Sequence, residues 1–303
     1  MAPYRKRFER SDKPAVRSVT PIKLAILSHL LDYRFLLVSQ LCKLTSMSDQ
    51  AVRRHLRELY DMEMVTRSAV SRSVIADNGE PNDETLTQGS APIIYSLSKV
   101  GFAALLERGL ADAARAKDVV VKYGPANDLF LRHELFLRDI RIWMATLSGE
   151  GVRLRTWKDT AESEIRLPIG VVLRPDATFV LDVGEYKGRQ AVLTGFIEAD
   201  RGTERGAQRW SEKIAGYIDL FSRSECVASA TGYRAARILI IAPDHTRIDW
   251  IHRTIEQRLL EKSLPPDIGE RFWLACKKHL RGEVGARLWR IVGVQDVWPL
   301  KMQ

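Results

Sequence analysis

The chain has 303 residues, enough for two domains of ordinary size, and its 45% hydrophobic content can fill real cores. With 47 Lys and Arg against 38 Asp and Glu it carries a formal charge of +9, which favours a polyanionic partner. No apolar run approaches the ~18–20 residues of a membrane span, and no signal-type segment opens the chain. The cysteines Cys42, Cys226 and Cys276 are scattered and fit neither a disulfide framework nor a zinc spacing. A cytoplasmic protein without a membrane partner is expected.

Residues 1–19 read as a flexible basic arm, with Arg5, Lys6, Arg7, Arg10, Lys13 and Arg17 among Pro and Ser. Pro21 suits the first turn of a helix, and Ile22, Ala25, Ile26, His29 and Leu30 recur at helical spacing. A second helix is predicted near 38–44. Ser48 is a good N-cap for a third, about 49–60, with Val52, Leu56 and Leu59 on one face. A strand at 64–75, a polar loop at 76–92, a strand at 93–97 and a helix from Lys99 complete the series. Helix, helix, helix, strand, long turn, strand, helix is the layout of a winged helix-turn-helix, assigned to 20–110. Residues 111–124 read as a linker ending at Gly124-Pro125.

The second domain, 125–303, opens with a long amphipathic helix at 127–147. Strands follow near 152–157, 162–167, 174–182 and 191–200, then a helix at 204–222. A buried strand at 237–242, a helix at 247–262 and a strand at 271–276 close the series. The fold class is α+β or α/β.

The basic character is concentrated early: Met1 to Ile75 holds 14 Lys and Arg against 7 Asp and Glu. A recognition helix needs an apolar face for docking and an opposite face of long donors. The third helix has both. Gln50, Arg53 and Arg54 are the candidates for base edges, Arg57 for the backbone, and Arg67 and Arg72 in the wing for phosphates. His29 and His55 fall near core faces and read as packing residues.

In the second domain Asp176 opens a strand within Arg174-Pro175-Asp176-Ala177-Thr178-Phe179. Glu198 and Asp200 lie two apart on another strand and therefore share a face. Carboxylates at strand ends suit Mg²⁺ or Mn²⁺, which prefer hard oxygen ligands. Structurally, the same residues could simply form strand-end turns and pair with Arg174 or Arg201.

This pattern resembles the PD-(D/E)XK nuclease superfamily, a restriction-endonuclease-like mixed-sheet fold. Asp176 matches its first element and Glu198 its acid; the lysine position holds Asp200. The resemblance implies that Lys213, on the following helix, supplies the missing amine. It also implies that Glu134, on the first helix, adds an acid, with His133 a weaker candidate. The implied metal ligands are Asp176, Glu198 and Asp200.

Tyr95-Ser96-Leu97-Ser98, the Pro-Asp strand, Glu198-Ala199-Asp200-Arg201-Gly202-Thr203-Glu204, Lys213 and Tyr217 together resemble the replication-relaxation family of plasmids and mobile elements. That resemblance implies duplex DNA as partner, along with plasmid replication or relaxosome proteins. Two readings stay open: a metal-dependent DNA endonuclease or nickase targeted by its winged helix, and a non-catalytic accessory or regulator with a degenerate nuclease fold. No Walker-type loop or Gly-x-Ser-x-Gly elbow is present, and a homodimer is left open.

Overall fold

A computed structural model describes residues 8–11, 18–70, 93–119, 128–168, 170–201 and 207–300. The chain divides into two compact units, the first ending at Ile142 and the second starting at Trp143.

The first unit follows the predicted order with one strand added between the first two helices. Helix α1 (Pro21–Tyr33) starts on its proline, followed by strand β1 (Phe35–Leu37), α2 (Val38–Thr45) and α3 (Asp49–Asp61). Ser48 caps α3 as expected, its hydroxyl accepting from the Ala51 N–H at 3.3 Å. Strands β2 (Val65–Ala69) and β3 (Ile93–Leu97) then precede α4 (Lys99–Leu106). The sheet is antiparallel in the order β1-β3-β2. Beyond Ala69 and Val70, the end of the predicted wing strand, Arg72 and the polar loop lie outside the described residues, as does most of the basic arm. Val52, Leu56 and Leu59 of α3 are fully buried against Ile26, Leu30 and Val65. Each such side chain contributes about 1.5–3 kcal/mol through removal from water.

Helix α5 (Asp128–Ala145) departs from expectation. Predicted to open the second domain, it belongs to the first unit as far as Ile142. Its polar side chains explain why. Arg138 donates to the Tyr33 carbonyl at 2.9 Å, and Arg141 to the Asp32 carbonyl at 2.8 Å. These are carbonyls at the end of α1, where no intrahelical donor remains. The two guanidinium groups also lie over Phe35 and Tyr33, at 4.0 and 4.4 Å from the ring centres. Gln40 of α2 donates to Asp139 at 2.8 Å.

In the second unit, seven strands of the described residues form one sheet, in the order β12-β11-β10-β9-β8-β7-β4. These are β4 (Val152–Asp159), β7 (Ala177–Tyr186), β8 (Arg189–Ala199), β9 (Arg237–Ala242), β10 (Phe272–Cys276), β11 (Trp289–Ile291) and β12 (Val297–Trp298). The two-residue strands β5 (Ile165–Arg166) and β6 (Val172–Leu173) pair separately. Strands β4, β7 and β8 run antiparallel in sequence; β8, β9 and β10 are mutually parallel. Helices α6 (Ala207–Phe221) and α7 (Ser224–Thr231) connect β8 to β9. Helices α8 (His245–Glu261) and α9 (Pro266–Gly269) connect β9 to β10.

The core lies between sheet and helices. Phe196, Ile238, Ile240, Phe272 and Leu274 meet Trp210, Ile214 and Ile218 of α6, and Ile248, Ile251 and Ile255 of α8. The opposite sheet face is also buried at Leu239, Ile241 and Trp273. Burial on both faces explains the unbroken apolar run of β9.

Gly195 sits opposite Arg237 in the β8–β9 ladder, and a Cβ there would lie 1.9 Å from the Arg237 carbonyl oxygen. Backbone cannot yield that far without breaking the ladder. Gly195→Ala is expected to destabilise the protein by about 3 kcal/mol or more, read as a lower urea midpoint; an unchanged midpoint would refute this packing.

Candidate functional site

Asp176 precedes β7 by one residue. Its N–H donates to the Ile197 carbonyl at 3.1 Å, and its Oδ2 accepts from the Ala199 N–H at 2.8 Å. Thr160 donates to its carbonyl at 2.9 Å. The half-buried carboxylate is thereby held beside the C-terminal end of β8.

Glu198, one residue before that end, is 1% exposed. Its two carboxylate oxygens are separately engaged. Tyr217 donates its hydroxyl to Oε1, and Lys213 donates its ammonium to Oε2. Lys213 and Tyr217 are four residues apart on α6 and therefore project from one face. The Tyr217 ring packs 5.9 Å from Phe196, centre to centre, and the Lys213 amine lies 5.8 Å from the Trp210 ring. Burial pushes the Glu198 carboxyl up to about 7, with Asp176 adding to the rise while Lys213 and Tyr217 oppose it. Burial and the facing carboxylate hold Tyr217 well above its usual range, so its hydroxyl keeps its proton.

Asp200 turns to the same helical layer, as its two-residue spacing from Glu198 predicts, but reaches a different partner. Its carboxylate accepts from Arg247 Nε at 2.7 Å. Arg247 lies in the first turn of α8, where Asp244 caps its N–H at 2.8 Å, and it stacks 4.3 Å from Trp250. Asp176, Glu198 and Asp200 do not form a three-ligand metal group among the described residues.

Glu134 is engaged inside the first unit, pairing with Arg138 at 2.7 Å. His133 is half-buried on the same helix. Arg247 was not foreseen from the sequence; its charge on a helix predicted to start at 247 reads as solvated.

On α3, Gln50, Arg53 and Arg54 are exposed, opposite the buried stripe. Arg53 pairs with Asp49 one turn earlier. Arg57 is half-buried, donating to the Glu9 carbonyl at 2.8 Å. Arg67 lies over Tyr60 at 4.0 Å and near Tyr95 at 5.5 Å, and burial lowers its pKa. Residues 8–11, expected within a flexible arm, dock on this helix: Tyr60 donates to the Phe8 carbonyl at 2.9 Å, and the Ser11 N–H donates to Asp61 at 3.1 Å. Lys23, 3% exposed, pairs with Glu58 of α3 at 2.9 Å.

Fold and site define an α+β protein with a helix-rich first unit and a mixed-sheet second unit carrying buried acid–base pairs at its strand ends. The chain belongs to the replication-relaxation family, whose pattern matches residues 27–233. Searches of curated proteins and of solved structures found no match. The family suggests a role in replication or relaxation of plasmid or mobile-element DNA. No helix among the described residues is long and apolar enough to cross a membrane.

Proposed function

We propose that this protein binds duplex DNA through its first unit as a winged helix, and that its second unit is a PD-(D/E)XK-type domain that cuts or nicks phosphodiester bonds. The observation that carries the reading is the contact of Lys213 with Glu198 beside Asp176. In this reading the Lys213 amine, on the next helix, stands in for the lysine that the motif has where this chain has Asp200. The mixed sheet is compatible with the same reading: strands β4, β7 and β8 are antiparallel, and β9 returns parallel to β8 after helices α6 and α7.

The donor set fits a hard divalent ion. Asp176 and Glu198 lie close enough for mutual repulsion to raise the Glu198 pKa, and a cation would relieve that repulsion. Mg²⁺ needs only one or two carboxylates, its other positions going to water and phosphate. Asp176 and Glu198 would hold Mg²⁺ or Mn²⁺, which would polarise the phosphate and activate water when bound. Lys213 places positive charge where a phosphate would gain negative charge, while Tyr217 fixes the Glu198 carboxylate in place. The pairing of Asp200 with Arg247 favours an alternative, a non-catalytic accessory or regulator that uses this unit for contacts with relaxosome or replication partners or a second copy.

DNA recognition is assigned to Gln50, Arg53 and Arg54, presented by a helix whose opposite face is locked in the core. The Arg53–Asp49 pair is exposed and therefore weak, so it yields readily to a base or phosphate. Arg53→Ala and Arg54→Ala are each expected to weaken duplex binding by about 1–3 kcal/mol, and to flatten its salt dependence where the lost contact is to phosphate. Gel shifts across a salt series test this. Unchanged affinity in both variants would contradict the assignment of α3, and conversion of supercoiled plasmid by the wild-type protein tests the cutting activity.

A further inference from the structure

A second set of side chains gathers at the C-terminal ends of the parallel strands β9 and β10. His245 opens α8, Cys276 ends β10, and His279 ends the short turn Lys277–His279. One ligand atom from each lies within 4.8 Å of the other two. The two imidazole rings are 4.8 Å apart, centre to centre. Cys276 is buried, and its thiol donates to the Pro243 carbonyl at 3.1 Å; both histidines are exposed.

The backbone explains the gathering. Cys276 pairs in register with Ala242, so the Pro243-Asp244-His245 turn leaving β9 passes directly beside it. Cys276 and His279 are separated by two residues, a short chelating loop of the kind zinc sites use. Cysteine spacing alone hid the site, because its partners are histidines and one of them arrives through sheet register.

We infer that His245, Cys276 and His279 bind a zinc-class divalent ion through two imidazoles and one thiolate. Thiolate and imidazole donors select Zn²⁺ over Mg²⁺ or Ca²⁺, so this centre differs in chemistry from the carboxylate site. Zn–S near 2.3 Å and Zn–N near 2.0–2.1 Å put tetrahedral ligand atoms roughly 3.3–3.6 Å apart, so separations of up to 4.8 Å close by at most about 1.2–1.5 Å. The exposed histidines can move that far. On binding, Cys276 releases its proton to solvent, and the Pro243 carbonyl, half-buried, exchanges that donor for water. Three protein ligands leave a fourth position for water. The ion ties the start of α8 to the end of β10, two residues before Arg247. This inference is independent of any DNA cutting.

The test uses tag-free, reduced, full-length protein. After dialysis against Zn²⁺ and then metal-free buffer, one zinc per chain is expected. Co²⁺ substitution is expected to give the absorption of a tetrahedral cobalt thiolate. His245→Ala and His279→Ala, both at exposed positions, should keep the native circular dichroism and weaken Zn²⁺ binding by more than about tenfold, since even outer-sphere partners are worth 10–100-fold. Cys276→Ser should remove the thiolate-to-cobalt band. Sub-stoichiometric zinc in the wild type, or wild-type affinity in both histidine variants, would overturn the inference.

Discussion

Lys213→Met is expected to destabilise the protein by about 1 kcal/mol more at pH 8 than at pH 5. Removing one partner of a fully buried pair costs about 3–5 kcal/mol, but the Lys213 side chain is 27% exposed, and Glu198 can take a proton instead of staying charged and alone, which limits the loss. The pH dependence follows from Glu198. Its pKa is already raised from the ordinary 4.5 to about 7 in the folded protein, and Lys213 is the strongest influence holding it down. Without that amine it rises further. A raised carboxyl pKa gives stability that is present below the unfolded value and lost as pH climbs through the folded value. Glu198→Gln/Lys213→Met should therefore recover much of the loss at pH 8, because no charge is left buried. Urea unfolding of the four proteins of this cycle at both pH values decides it. A loss from Lys213→Met that is equal at pH 5 and pH 8 would contradict the buried-pair account.

If the second unit cuts DNA as proposed, Glu198→Gln is expected to lower the cutting by on the order of 10²–10³-fold while leaving duplex binding unchanged, because the amide keeps the shape and loses the charge. The same substitution should flatten the stability profile. Relative to Glu198→Gln, the wild type should lose about 2–3 kcal/mol between pH 5 and pH 8, the part of the shift from 4.5 to about 7 that falls in this window. Parallel pH profiles for the two proteins, in unfolding by urea, would refute the raised Glu198 pKa.

Much of this arrangement is legible in the sequence where a single local rule decides it. Val52, Leu56 and Leu59 declare the buried stripe of α3, and Ser48 its start. The run from Ile238 to Ala242 declares a strand buried on both faces. Asp176, Glu198 and Lys213 can be brought together on paper, since strand alternation and a helical wheel fix their directions.

What stays hidden depends on partners distant in the chain. Phe35-Leu36-Leu37 is a strand only because Ser96, Tyr95 and Ile94 lie opposite; locally it continues a helical apolar pattern. Arg138 and Arg141 look like solvated charges, yet they satisfy the carbonyls that end α1, and so bind α5 to the first unit. Asp200 could have faced a metal, but Arg247 reaches it from α8. Cys276 and the two histidines meet only through the register of β9 and β10.

The most direct test of the proposed function incubates supercoiled plasmid with wild-type protein and with Asp176→Ala, in Mg²⁺, in Mn²⁺ and in EDTA, with gel shifts alongside. The proposal predicts open-circular or linear product from the wild type only with a divalent ion, and none from Asp176→Ala at equal DNA binding. Intact plasmid in every lane with binding retained would contradict cutting and favour the accessory role; equal cutting by Asp176→Ala would contradict the site.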